Sequence, residues 1–495
     1  MKLVRFALIS AALAAIAVGC GSSAPAPTSP QVVPATEIAA AHWVPSQAVY
    51  VSAGTSLSGA QSGLRALIDG VGMFAGIDAN LVGGELATIL GVDAISTEAV
   101  AAIGIDTNAS FSLFSEGLAP TSIVKISDPD AFARFVEKMR GRGMRSTSVV
   151  VNGTEVFSAP LGDGFAFSWA LADGWLWVHL VPPYAMGEGT GWFEHSRAGQ
   201  TMAGAVADGF AWASKAAGAG SKVTMWLDAQ RLLGMLGDKV PAAKACVGAL
   251  ASVQGAGVGI SVENGAITAR LSLDVGPHAG AIKDATLPVP EGLPSLVDAS
   301  PFAAQWNLDL VQVESALGPC FALADIRLDQ LAATGVRAAR VAVQKLDMND
   351  QSGEGVVSLA LTKKDYFASK LDDVPGRRFL ERDRTFGPLK GHALSVPTIA
   401  SVDYVLDDQQ ALVAMGDGVL ARAVGKGSSV PGPIFGLDLR PAGFDEANWR
   451  ALFQMLDVHG SKEVVEQLMK WRDAHLSVTL EGTSLVLTAS GTRAR

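Results

Sequence analysis

Ser122 and Lys125 form a Ser-x-x-Lys pair, the spacing in which an amine can draw a proton from a nucleophilic hydroxyl. An offset of three aligns two side chains on a helix. Thr121 to Ile126 reads instead as a strand, where the same offset sends them to opposite faces. No Gly-x-Ser-x-Gly elbow, His-Glu-x-x-His, phosphate loop or complete calcium loop occurs in the 495 residues. Asp347 to Gly355, with Asn349, Asp350 and Glu354, is rich in oxygen ligands but lacks ordered ligand spacing, so it reads as a polar hairpin turn. The histidines at 42, 179, 195, 278, 392, 459 and 475 are scattered without metal-ligand spacing, and no cofactor is implied. Leu227-Asp228, Leu308-Asp309 and Leu437-Asp438 put an acid after a strand. Each Asp is expected to cap the helix that follows.

One segment stands out: Phe165, Phe167 and Trp169, then Asp173-Gly174, then Trp175, Trp177 and His179. Asp-Gly between two alternating runs predicts a two-residue hairpin turn, which sets residues summing to 347 opposite each other. Phe165, Phe167, Trp169 and Leu171 then share a core face with Leu176, Val178 and Leu180. Trp175, Trp177 and His179 stand on the other face, which is either packed beneath a helix or open as a binding surface. The run Pro182 to Trp192 follows directly and reads as flexible.

These residues must be positioned by short strands alternating with amphipathic helices, without a continuous βαβ pattern, so the expected class is α+β with antiparallel sheets. Ser56 to Ala75 is a predicted helix, with Leu57, Leu64, Leu67, Ile68 and Val71 on one face. Pro129 to Arg140 is another, with Asp128 as N-cap and Phe132, Phe135, Val136 and Met139 on one stripe. The element order after residue 105 returns after residue 335. Thr121 to Ile126 matches Val356 to Leu361; Phe165 to Leu171 and Trp175 to Val181 match Val402 to Leu406 and Ala411 to Met415. Val223 to Asp228 and Gly259 to Leu273 match Ile434 to Asp438 and His475 to Ala489. The chain therefore reads as an internally duplicated module, with a first repeat over 42–276, a Pro-rich connection over 277–301 and a second repeat over 302–495. Gln410 and Leu412 fall where the first repeat has Trp175 and Trp177.

The N-terminus supplies an address. Lys2 and Arg5 precede the apolar run Phe6 to Val18, which reads as a signal peptide over 1–19, too short to span a bilayer as a helix. Ala17-Val18-Gly19-Cys20 resembles the lipobox of bacterial lipoproteins. That resemblance implies cleavage before Cys20 and lipid attachment to it. Residues 20–41, rich in Ser, Pro, Ala and Thr, read as a lipidated cysteine and tether. Gly21 stands where retained enteric lipoproteins carry aspartate, so the resemblance favours the outer membrane. In general organisation the body resembles the uncharacterised envelope lipoproteins with large α+β bodies.

Cleavage removes Lys2 and Arg5 and no acid, leaving 36 basic residues against 48 acidic ones, a formal net charge of −12. Such a balance argues against nucleic acid as a partner and leaves membrane attachment to the acyl chains. With Cys20 consumed, Cys246 and Cys320 are the two remaining thiols. They either form a disulfide stapling the two halves or are separately buried. The sequence thus points to a membrane-anchored envelope lipoprotein without catalytic activity, binding a partner protein or an apolar ligand. The alternative is a periplasmic or surface hydrolase whose site is assembled from distant residues. Growth with labelled palmitate should mark the wild-type chain, and Cys20→Ser should abolish the label; a labelled mutant would overturn the anchor.

Overall fold

The computed structural model describes residues 37–494, apart from 76–78, 118, 163, 182–188, 199–201, 219–220, 222, 237–244, 246–254, 264–265, 277, 315–317, 320–331, 348–349, 351, 374–379, 396–400 and 456–460. The described residues form two compact units, with the division at Asp274/Val275. Both are α+β, built on antiparallel sheets.

The first unit has strands β1 (Tyr50–Gly54), β2 (Phe111–Ser115), β3 (Thr121–Lys125), β4 (Thr147–Val151), β5 (Thr154–Gly162), β6 (Phe165–Ala172), β7 (Trp175–Val181), β8 (Val223–Leu227), β9 (Ala256–Glu263) and β10 (Ala266–Asp274). They pair antiparallel in the order β4-β5-β6-β7-β3-β2-β1-β8-β9-β10. Helices α1 (Leu57–Ala75), α2 (Ala79–Leu90), α3 (Thr97–Ala102) and α4 (Pro129–Gly141) precede the central hairpins. After β7 come α5 (Gly191–Arg197) and α6 (Gly204–Ala217), and after β8 comes α7 (Ala229–Leu236). One core joins Phe114, Ile123, Trp177, Phe193, Phe210 and Trp226. The core on the other face includes Val124, Leu176 and Trp169, packed against Phe132 of α4.

Local chemistry sets the helix starts. The Asp128 carboxylate accepts from Ala131 N at 2.9 Å with Pro129 in the first turn, and Asp228 accepts from Arg231 N at 3.0 Å at the start of α7. Asp309 accepts from Gln312 N at 3.3 Å and also binds Arg337 Nε at 2.7 Å.

The second unit opens with α8 (His278–Ala285), β11 (Val289–Pro290) and α9 (Leu293–Ala299). The segment read from sequence as a connection is therefore folded: Val289, Leu293, Leu296 and Val297 lie in the core. Pro290 sits at an edge ladder, where β11 pairs with the two-residue β19 (Ser429–Val430), and Pro294 in the first turn of α9, both sites that tolerate a missing N–H. The main strands are β12 (Phe302–Trp306), β13 (Val336–Asp347), β14 (Ser352–Leu361), β15 (Glu381–Phe386), β16 (Leu389–Leu394), β17 (Val402–Leu406), β18 (Gln410–Met415), β20 (Phe435–Leu439), β21 (Trp471–Glu481) and β22 (Ser484–Arg493). Their order is β15-β16-β17-β18-β14-β13-β12-β20-β21-β22, strand for strand that of the first unit. Helices α10 (Asp365–Asp372), α11 (Val419–Val424), α12 (Glu446–Met455) and α13 (Ser461–Leu468) complete the unit.

The tether also ends earlier than its composition suggests. Ala39–Trp43 forms a 3₁₀ turn, and the apolar Ala41 within it and Ile38 and Val44 at its ends enter the first core. Asp438 departs from its expected capping role. β20 runs on to Leu439, so Asp438 is an interior strand residue, and Asp445 caps α12 by accepting from Asn448 N at 2.8 Å.

Arg340 anchors the second sheet from within. It is 4% exposed in β13, between Gln305 and Ser358 in register. Its Nε donates to Asn307 Oδ1 at 2.5 Å and an Nη donates to the Pro288 carbonyl at 2.8 Å, tying the α8–β11 segment to the sheet. Burial lowers its pKa to about 10, so the guanidinium is still charged at neutral pH. Asn307→Leu should cost ~3 kcal/mol or more, because a buried charge loses its acceptor, whereas Arg340→Met should cost less. Urea midpoints of the two variants test this order.

Candidate functional site

The hairpin β6–β7 folds in the expected register, with Ala166 opposite Val181 and Ala170 opposite Trp177. Asp173 and Gly174 both have positive φ, 51° and 74°, as a two-residue turn that matches strand twist requires. Trp175, Trp177 and His179 share a face with Thr121, Ile123 and Lys125 of β3, while Ser122 points to the other side from Lys125. The Lys125 ammonium lies over the Trp175 ring at 5.0 Å.

That face is covered at Trp177 and His179, which decides between the two readings for packing beneath a helix and against an open binding surface there. Trp177 is 0% exposed; its Nε1 donates to Ser196 Oγ of α5 at 2.9 Å, and Ser196 Oγ donates to the Trp43 carbonyl at 2.6 Å. Trp43 and Phe193 meet the Trp177 ring edge-on at 5.3 and 5.5 Å. The Arg197 guanidinium lies over both Trp43 and Trp177 and pairs with Asp173 in the hairpin turn. Trp175 is half-buried against the same core. His179 is 1% exposed, stacks on Trp192 at 4.8 Å, and places Nδ1 2.9 Å from Thr121 Oγ1. The physical cause is α5: part of the run that reads as flexible is a helix that sets Trp192, Phe193 and Ser196 over the sheet. Residues 182–188, Cys20, and the pair Cys246 and Cys320 lie outside the described residues.

The opposite face holds an opening. Leu90 at the end of α2, Phe135, Val136 and Met139 of α4, Met144 and Phe167 of β6 line a tight cleft with a free volume of about 10 Å³. Every lining residue is half-buried. Phe167 continues a stack in which Phe157 and Phe167 lie against Trp169 at 5.2 and 4.9 Å. At one end, Gly91 has φ 75°, and a Cβ there would stand 2.3 Å from Met139 Sδ. Glycine therefore lets the α4 side chains close over the end of α2. Sequence periodicity places Phe132, Phe135, Val136 and Met139 on one core-facing stripe, yet only Phe132 is buried. The helix lifts from the sheet toward its C-terminus, and the pattern of apolar residues carries no sign of that.

Two polar clusters lie in the second unit, and neither is legible from residue spacing. His475 Nδ1 is 2.6 Å from Asp438 Oδ1, its cross-strand neighbour, while Nε2 is 3.8 Å from Asp473. His392 Nδ1 lies 3.1 Å from both Glu381 and Asp383, and Tyr404 donates its hydroxyl to Glu381 at 2.5 Å. Among the described residues no group of three or more His, Cys, Asp or Glu is arranged to hold a metal ion.

No protein-family model matches the chain, and no curated protein does. Solved structures of TP0453 are similar in part. Crystal form III aligns at 10% identity and TM-score 0.27, covering 48% of this chain and 81% of that one. Form I gives 11% and 0.28, covering 48% and 80%, and form IV gives 11% and 0.27, covering 50% and 85%. Superpositions this loose assign no activity.

Burial lowers the His179 pKa from 6.5 to about 4. The folded protein therefore keeps a neutral imidazole through a range in which the unfolded chain binds a proton. Stability should be insensitive to this group above about pH 7, fall as pH drops from 6.5 toward 4, and be lower by about 2 kcal/mol at pH 5. His179→Gln should flatten that part of the profile, read as denaturant midpoints between pH 8 and 5; an unchanged slope would remove His179 as its cause.

Proposed function

We propose that the chain is a lipid-anchored protein of the bacterial envelope, at the outer membrane, that binds an apolar ligand in the cleft between α2, α4 and β6. The observation that carries this reading is the lining: six half-buried side chains, all apolar, two of them methionines able to repack around a guest. As packed, the cleft has room for only about 10 Å³, roughly one water, so a guest enters as the methionine side chains repack. A single hydrocarbon tail asks less of that repacking than a whole diacyl lipid does. The anchor rests on the leader and Cys20, and no helix among the described residues is long and apolar enough to cross a membrane. The matched strand orders support reading the body as one module used twice.

A hydrolase would need an acid, a base or a nucleophile at the site, and the cleft wall offers none. The Asp438–His475 pair resembles the orienting half of a triad. Its second nitrogen, however, faces the Asp473 carboxylate at 3.8 Å, where a base would face a nucleophile. The arrangement serves better as a clamp between β20 and β21.

Titrating the mature chain with a fluorescent medium-chain fatty acid should give saturable binding. Met139→Trp, which fills the cleft, should weaken binding about tenfold or more, a loss of ~1.4 kcal/mol or more. The melting temperature should stay close to wild type. Undiminished affinity in the filled variant would exclude the cleft as the site.

A further inference from the structure

The two sheets end differently at the same place in their strand order. β4 closes the first sheet and β15 the second. β15 reads Glu381-Arg382-Asp383-Arg384, signs alternating, and charge of this kind protects an edge strand from pairing with another chain. β4 reads Thr147-Ser148-Val149-Val150-Val151, with no charge and four β-branched residues. Register makes the contrast positional. The row Ser148–Phe157–Trp169–Val178 in the first sheet corresponds to Asp383–His392–Tyr404–Val413 in the second, and Val149 follows Ser148 as Arg384 follows Asp383. Val149 stands where the other unit has an arginine. Val149 is 50% exposed and Val150 70%, and as consecutive strand residues they present one valine on each face.

The backbone sets what can dock there. Asn152 and Gly153, with φ 48° and 78°, form a two-residue turn closed by Val151 and Thr154. In such a hairpin the closing pair exchanges both hydrogen bonds, so Thr147, Val149 and Val151 direct their backbone groups to β5. Ser148 and Val150 direct theirs away from the sheet. Two N–H donors and two carbonyl acceptors at strand spacing, flanked by valines, fit an extended uncharged strand.

We infer that β4 pairs antiparallel with β4 of a second copy of this chain, about a two-fold axis at Val149. An axis there sets Ser148 of each copy opposite Val150 of the other, so the outward backbone groups meet as hydrogen-bonded pairs. Val149 meets its own copy in the closer, non-hydrogen-bonded pair, and Thr147 meets Val151. No charge opposes a like charge in this register. The same operation on β15 about Arg384 would set two guanidinium groups face to face, so of the two edges β4 is the one that can meet its own copy without opposing like charges. Among the described residues, β4 pairs with β5 alone.

The full mature chain, solubilised in detergent, should sediment as a dimer at micromolar concentration, and Val149→Lys should sediment as a monomer. Val149→Cys should form a covalent dimer on mild oxidation, since the two α-carbons would lie ~4.5 Å apart. Val150→Cys, although more exposed, should not, because the two copies of residue 150 stand two positions out of register and beyond disulfide reach. The wild type, treated alike, controls for its own cysteines. A wild-type monomer, equal cross-linking at 149 and 150, or capture of a different protein by the Val149→Cys variant would overturn the inference.

Discussion

Trp177 ties together three stretches of chain that are distant in sequence. Its indole N–H donates to Ser196 on α5, Ser196 holds the carbonyl of Trp43, and Trp43 and Phe193 pack edge-on against the ring. Arg197 extends the same assembly to the hairpin turn through Asp173. An indole buried without a hydrogen-bond acceptor would cost free energy comparable to a lost hydrogen bond, so α5 must sit where Ser196 meets it. That requirement positions the N-terminal 3₁₀ turn as well. Among the described residues, Trp177 and His179 are covered as a consequence, and the cleft lies on the other face of the first sheet.

The second unit keeps the strand order but solves the same row differently. Leu412 stands where the first unit has Trp177, and the adjoining row runs through Ser358, Arg340 and Gln305. The buried guanidinium there is held by a side-chain amide and a main-chain carbonyl, fixing the segment before β12 to the sheet. An aromatic network in one unit and a polar one in the other perform the same task of tying outlying segments to a strand. Charged networks of this kind gain geometric definition more than stability.

The cleft follows from an incomplete fit between α4 and the sheet. Phe132 is buried near the helix start, whereas Phe135, Val136 and Met139 remain half-exposed beside Leu90 and Phe167. In the second unit the corresponding helix, α10, buries no residue, and Val357 and Val413 on the sheet are about 40% exposed. The helix that follows β3 in one unit and β14 in the other thus differs in how tightly it closes on its sheet.

Much of the fold was legible in sequence because short-range geometry determines it. Alternation of apolar residues assigned the strands, Asp-Gly with its positive φ values set the β6–β7 register, and Asp128 and Pro129 started α4. The correspondence of elements anticipated a strand order that recurs in both units. Residue spacing could not say which face of a two-faced strand is covered, because that depends on where a distant helix docks; Trp177 and His179 were ambiguous until α5 was placed. Nor could it separate a Pro-rich linker from a Pro-rich segment packed into a core, since burial of Leu293 and Leu296 is a long-range contact. The same holds for Asp438, whose His475 partner lies 37 residues away, and for the cleft, whose walls come from two helices and a strand. Local sequence set what each element is; the volume left between elements was decided only by their packing, because side chains close-pack against whatever tertiary contact brings near.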